Sequence, residues 1–65
     1  MADRLERMKA LGVKQVDMIL KLRERGIAVQ PPELSSMLRG IYTYPKAEKV
    51  LNECDNILSE LENAR

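Results

Sequence analysis

The stretch that most constrains the fold lies between Lys14 and Gly40, where two short helical patterns flank a turn. It reads KQVDMILKLRERGIAVQPPELSSMLRG. Gly26 is a natural helix stop, and Pro31-Pro32 is a natural helix start because the first helical turn does not need the missing N–H groups. We therefore predict one helix from about Lys14 to Arg25 and a second that begins at Pro31 and ends at Gly40.

Apolar residues at helical spacing predict which side of each helix is buried. On the first of these helices the predicted apolar face holds Val16, Ile19, Leu20 and Leu22, with Met18 near its edge. The connector is expected to anchor in the core through Ile27 and Val29. The second helix is expected to turn Leu34, Met37 and Leu38 inward and Glu33, Ser35, Ser36 and Arg39 outward.

Two further helices complete the predicted domain. The first runs from Asp3, a plausible N-cap, to Leu11, with Gly12 as its C-terminal stop. The last opens at Pro45 and extends to about residue 62, and it carries the cleanest amphipathic stripe: Ala47, Val50, Leu51, Cys54, Ile57, Leu58 and Leu61. Within this stripe Cys54 should behave as a small buried hydrophobe. We predict a single all-α domain over residues 1–65, with four helices and no strand.

The residue types present in the chain exclude several classes of catalytic and metal site. The chain contains no histidine and one cysteine, so neither an internal disulfide nor a Cys/His zinc site is available. It also has no phosphate-cradling glycine loop, and 65 residues leave little room for a ligand pocket. We expect no enzyme activity, no cofactor, no small-molecule substrate and no membrane span, and a cytoplasmic, reducing location. The carboxylates of the last helix, Glu53, Asp55, Glu60 and Glu62, are expected to form a solvated face.

The charge is unevenly distributed along the chain. Residues 1–40 hold eight Lys/Arg and five Asp/Glu, a net +3, whereas residues 41–65 hold three and five, a net −2. A basic front half suggests that it meets an anion. The alternative is an ordinary solvated surface of mixed charge, and charge alone does not decide between the two.

The order of these features resembles a lambda-repressor-like helix-turn-helix domain of the Cro type, as used by phage and mobile-element regulators. Lys14-Gln15 stands where that family places a Gln on a DNA phosphate. The family's recognition helix tends to carry an aliphatic residue followed by Ser and to end in a polar residue and Gly, which Leu34-Ser35 and Arg39-Gly40 match, and Pro45 opens the helix that follows. The resemblance covers roughly residues 3–61 and implies a compact four-helix domain whose motif, residues 14–40, lays one helix in the major groove.

The resemblance implies phosphate contacts at the start of the first motif helix and beyond the recognition helix. These candidates are Lys14, Gln15, Tyr42, Thr43, Tyr44 and Lys46. Free N–H groups at a helix N-terminus favour a phosphate in their own right. For Tyr42, packing of the loop over the core is an equal alternative.

Base-reading candidates lie on and just before the recognition helix. They are Gln30, Pro31, Pro32, Glu33, Ser35, Ser36 and Arg39. Proline offers only apolar contact to a thymine methyl, so hydrogen bonding falls to the polar members, with Glu33 able to accept from a cytosine amine. Arg39 binds a base or a phosphate, or else caps the carbonyl groups of its own helix.

The predicted function is therefore a sequence-specific transcriptional regulator, a phage or mobile-element repressor that occupies promoter DNA. Because one small module has a small footprint, we expect a homodimer on double-stranded DNA, joined through the loop after Gly40 or the exposed side of the last helix. The alternative is a helical protein-interaction module, an antirepressor or adaptor that keeps the fold without reading DNA. Pro31-Pro32 and the modest net charge favour this alternative, and a regulatory protein partner is open under either hypothesis.

Overall fold

The computed structural model describes residues 3–41 and 45–64, and this part of the chain forms four α-helices and no strand. They are α1 (Arg4–Leu11), α2 (Gln15–Glu24), α3 (Pro31–Leu38) and α4 (Pro45–Asn63). Every helix begins and ends within two residues of its predicted bounds. The prediction of a four-helix, all-α domain is confirmed.

The first three helices end in the same way, at a glycine with positive φ. After α2, the Gly26 N–H donates to the Arg23 carbonyl at 3.0 Å, and the Ile27 N–H reaches back to the Leu22 carbonyl at 2.9 Å. This pair of bonds is a Schellman motif, which requires the left-handed conformation that Gly26 adopts with φ 81°. The same pair of bonds closes α1 at Gly12 and α3 at Gly40.

The side chain of the residue after each glycine packs against the core in the first two motifs but not in the third. A Schellman motif usually places this residue against the side chain five positions earlier. Val13 and Ile27, which follow Met8 and Leu22 at that spacing, pack partly buried against the core. Ile41 instead follows Ser36, and its side chain is 72% exposed. The third motif therefore has the backbone bonds without the hydrophobic contact.

Helix α4 is the element on which the other three pack, and its predicted stripe is confirmed as core. The buried core consists of Met8, Met18, Ile19, Leu22, Val29, Leu34, Met37, Ala47, Val50, Cys54, Ile57 and Leu58. None of these side chains is aromatic, since Tyr42 and Tyr44 are the only aromatic residues of the chain. Unbranched methionine side chains fill gaps between the aliphatic ones. Burial raises the pKa of the Cys54 thiol to about 11, so Cys54 is the inert hydrophobe that was expected.

The predicted apolar face of α2 is wrong in two positions. Met18 and Leu22 are fully buried and Ile19 is nearly so, whereas Val16 is 58% exposed and Leu20 is 51% exposed. Met18 is thus central to the buried face and not at its edge. Apolar residues cover more of this short helix than one core-facing stripe requires, and tertiary contact with α3 and α4 selects one stripe. The other stripe, Val16 and Leu20, faces outward.

The contrast between buried and exposed leucines gives a direct test of the core. Leu58→Ala removes a fully buried side chain, and we expect a loss of about 2–5 kcal/mol from the free energy of unfolding. A domain this small has only a few kcal/mol of stability, so the variant should be largely unfolded at 37 °C. Leu20→Ala is the matched control and should change stability by less than about 0.5 kcal/mol. Urea unfolding followed by circular dichroism at low micromolar concentration measures both, and equal losses would contradict the described core.

Candidate nucleic-acid interface

The outer face of α3 is polar and accessible. Leu34 and Met37 are buried, so they fix which side of α3 packs on the domain. Ser35 and Ser36 lie three and four residues after Pro32, and Arg39 lies four and three residues after them, so all four share the opposite side. The two serines are half-buried, and Pro32 and Arg39 are exposed. These four residues, called the α3 face below, are all among the base-reading candidates.

The start of α2 presents two of the predicted phosphate ligands. Lys14 is the N-cap residue and is exposed, and Gln15 opens the helix and is half-buried. The backbone N–H of Lys14 donates to Asp17 Oδ2 at 3.0 Å, so one donor of the helix start is already satisfied. The Lys14 side chain forms no ion pair within residues 3–41 and 45–64. It is therefore available to an external anion.

At the start of α3, two base-reading candidates, Gln30 and Glu33, contact each other, and Glu33 also contacts the phosphate candidate Lys46. Glu33 Oε1 accepts a long hydrogen bond from the backbone N–H of Gln30, at 3.4 Å, and thereby helps to cap the helix. The same carboxylate binds Lys46 Nζ, with N–O distances of 3.1 and 3.2 Å. Glu33 thus already has two partners, and Lys46 already has an anion. Pro31, the first residue of α3, is exposed.

The remaining candidates divide into one exposed residue and three outside the described part. Arg39 is exposed, and its guanidinium forms no hydrogen bond or ion pair with any residue that the structure describes. The Arg39 side chain therefore does not cap its own helix. The carbonyl groups of Ser35, Ser36 and Met37 at the C-terminal end of α3 accept from backbone N–H groups instead. Tyr42, Thr43 and Tyr44 lie outside the described residues.

The four carboxylates of α4 that were expected to form a solvated face are solvent-accessible to differing degrees, but all four also form ion pairs with arginines of the front half, which the sequence analysis did not predict. Arg7 forms a bidentate contact with Glu62, with distances of 2.8 and 3.0 Å, and a further ion pair with Asp55 at 3.4 Å. Arg4 binds the same Asp55 carboxylate at 2.8 Å. These contacts fasten α1 to the C-terminal half of α4, across about fifty residues of sequence.

A second group of ion pairs fastens the end of α2 to α4. Arg25 donates to both carboxylate oxygens of Glu60, at 2.6 and 2.7 Å, and to Glu53 at 3.2 Å. Three of the eight basic residues of the front half, Arg4, Arg7 and Arg25, are thus paired with acids of the tail. The uneven charge along the sequence is partly neutralised within the fold. An external anion is not needed to explain it.

The basic residues left without an ion pair to the described part of the chain are Lys9, Lys14, Lys21, Arg23, Arg39 and Lys49. Lys14 and Arg39 are the two that coincide with predicted DNA ligands. In the same described part, no His/Cys/Asp/Glu cluster suited to a metal ion is found, and no helix is both long and apolar enough to cross a membrane.

No protein-family model, curated protein or solved structure matches this chain significantly.

The Arg7–Glu62 pair predicts a dependence of stability on pH. The hydrogen bond from Arg7 lowers the pKa of Glu62 below its ordinary value of 4.5. A carboxyl group with a lowered pKa in the folded state contributes stability above its unfolded pKa and loses it as the pH falls through the folded value. We expect stability to fall between pH 5 and pH 3, and to fall less steeply in Arg7→Gln. Urea unfolding at pH 6, 4.5 and 3 measures this, and Lys49→Gln is the control. If the free energy of unfolding falls equally with pH in wild type and in Arg7→Gln, the pairing is contradicted.

Proposed function

We propose that this protein is a sequence-specific DNA-binding transcriptional regulator. The observation that carries the proposal is the α3 face: a short helix, held on its buried side by α2 and α4, turns outward polar residues and an arginine that has no ion pair within residues 3–41 and 45–64. A helix supported in this way has the dimensions of the major groove. The resemblance of the motif to lambda-repressor-like domains supports the same function.

The proposed roles follow from what each side chain has available. Arg39 has five donors and no partner among the described residues, so it is the strongest candidate for a guanine edge or a phosphate. Ser35 and Ser36 add short hydroxyl donors and acceptors, and Pro32 adds apolar contact to a thymine methyl. Lys14 and Gln15 hold a phosphate at the start of α2, where the helix dipole also favours an anion.

The Lys46–Glu33 pair gives a specific expectation for the start of α3. Lys46 can hold a phosphate only by sharing its charge with the Glu33 carboxylate or by leaving it. Glu33, in turn, has more acceptor capacity for a cytosine amine when Lys46 moves to a phosphate. Phosphate binding by Lys46 and base reading by Glu33 are therefore coupled in this proposal. Tyr42, Thr43 and Tyr44 remain predicted phosphate contacts.

Few of the predicted DNA-contacting residues carry a positive charge, and this limits the affinity for DNA. With Lys14, Arg39 and at most Lys46 neutralising phosphates, the slope of log Kobs against log salt should be about −2 to −3 per bound copy. A footprint of this size requires a dimer on an inverted repeat for specific binding, with half-sites about one helical turn apart. Such a dimer would act as a repressor by occupying promoter DNA and excluding polymerase.

The second candidate function is a helical protein-interaction module. Two observations favour it: arginines of the front half are paired internally, and Val16 and Leu20 leave an apolar surface exposed. Titration of the ¹⁵N-labelled protein with duplex DNA separates the two functions. Shifts clustered at Lys14–Gln15 and Gln30–Arg39 favour the regulator; scattered or absent shifts, with binding to a protein partner, favour the module.

Substitutions at the two ends of the motif should affect DNA binding differently: one should reduce both affinity and base preference, and the other affinity alone. On duplexes selected from a random pool, Arg39→Ala should weaken binding about tenfold and relax preference at one base pair. Gln15→Ala should weaken binding on all sequences alike, because a phosphate contact carries no base information. Lys9→Ala is the matched control, since it removes an exposed charge from α1, which packs on α4.

Fluorescence anisotropy at several salt concentrations measures all three variants against wild type. If Arg39→Ala and Gln15→Ala both bind DNA with wild-type affinity, the proposed DNA-contacting faces are wrong. Binding by the wild type that does not change with salt would contradict the proposed function itself.

A further inference from the structure

The outer side of α2 carries apolar surface that the fold does not use. Val16 is 58% exposed and Leu20 is 51% exposed, and they lie one helical turn apart on the same side. Single exposed aliphatic residues are common, but Leu20 also lines a groove of about 340 Å³ between α2, the α1–α2 turn and the end of α4. Val16, Leu20 and this groove together are called the α2 surface below.

The lining of the groove indicates what kind of partner fits it. Its apolar side chains are Val13, Leu20 and Leu61, and its charged side chains are Asp17, Lys21 and Glu24. Both signs of charge stand at one rim, so a partner carrying a single sign of charge would be repelled by part of it. A partner that presents the same mixed pattern is complementary to it.

We propose that the α2 surface binds a second copy of this chain, with the two α2 helices antiparallel about a two-fold axis. A two-fold interface is self-complementary by construction. If the axis passes at the level of Ile19, Asp17 of each copy lies level with Lys21 of the other, on the same flank of the helix pair. Two reciprocal opposite-charge pairs then form, and neither residue has an ion pair within the described part of the chain now.

The same axis orders the apolar side chains. At a rise of about 1.5 Å per residue, the two copies of Leu20 lie about 3 Å apart along the helix direction, and each Val16 lies just beyond the other copy's Leu20. Each Leu20 faces the groove of the other copy. The four aliphatic side chains form one short ladder that is closed to solvent.

This inference names a surface for the dimer that the proposed function requires, and it rests on that function only for its biological role. The α2 surface differs from both dimer surfaces expected from sequence, the loop after Gly40 and the exposed side of the last helix. Because the contact is much smaller than a standard stable interface, the free dimer should be weak and concentration-dependent.

Sedimentation equilibrium without DNA, over about 10 µM to 1 mM, tests the proposal. Wild type should associate, and Leu20→Lys should raise the dimer dissociation constant about tenfold or more while its thermal unfolding stays unchanged. Lys21→Glu should also weaken the dimer, by placing two carboxylates together, whereas Lys49→Glu on the exposed side of α4 should not. Ile41→Lys, at the most exposed large hydrophobic residue among those described, is the matched apolar control and should leave the dimer intact.

A wild-type chain that stays monomeric throughout this range would overturn the proposal, as would a dimer that Ile41→Lys disrupts and Leu20→Lys does not. Either result leaves DNA binding to be judged by its own titrations, because no DNA is present here. A dimer that is lost in Leu20→Lys and Lys21→Glu alone supports the proposal.

Discussion

The packing of α4 against the other three helices is the constraint on which the structure depends. Its buried stripe supplies five of the core residues, and α1, α2 and α3 each contact it. Around this apolar contact, ion pairs attach α1 through Arg4 and Arg7 and the end of α2 through Arg25. The hydrophobic contact provides most of the stabilisation, since exposed ion pairs contribute little each. The ion pairs instead favour one orientation of α1 and α2 on α4 over others.

Helix bounds were predictable because the signals that set them are local. Asp3 accepts the Glu6 N–H at 2.8 Å, three residues along the chain, and the N–H groups of Gly26 and Ile27 close α2 through bonds to carbonyls three and five positions back, respectively. Pro31 opens α3 for reasons that also concern only its own turn. The stripe of α4 was equally clear, since a nineteen-residue helix repeats its pattern often enough to define one face.

The orientation of α2 was not predictable by the same means. Its ten residues include five aliphatic or methionine side chains that surround more than one face, so the periodicity admits two choices. Contact with α3 and α4 buries Met18, Ile19 and Leu22 and leaves Val16 and Leu20 outside. The ion pairs were beyond local reasoning for a related reason: Arg7 and Glu62 are 55 residues apart, and only the fold brings them together.

In the candidate interface too, local features were predictable from the sequence and contacts between distant residues were not. The sequence placed Ser35, Ser36 and Arg39 on the outward side of α3 correctly, because buried Leu34 and Met37 fix the helix phase. It did not predict that Lys46 would bind Glu33, since these residues lie on different helices, thirteen positions apart. The three remaining phosphate candidates, Tyr42, Thr43 and Tyr44, lie outside the described residues.

These findings connect the charge of the domain to its proposed dimerisation. Of the basic residues without an ion pair in the described part of the chain, only Lys14 and Arg39 are predicted DNA ligands, and the electrostatic part of DNA affinity grows with the number of phosphates neutralised. Two linked copies double that number on a single site, and the second copy binds at a high effective concentration. Under the proposed function a weak dimer is sufficient, because bound DNA would hold both copies in place. The exposed Val16 and Leu20 fit that proposal, in which DNA affinity depends on a second copy.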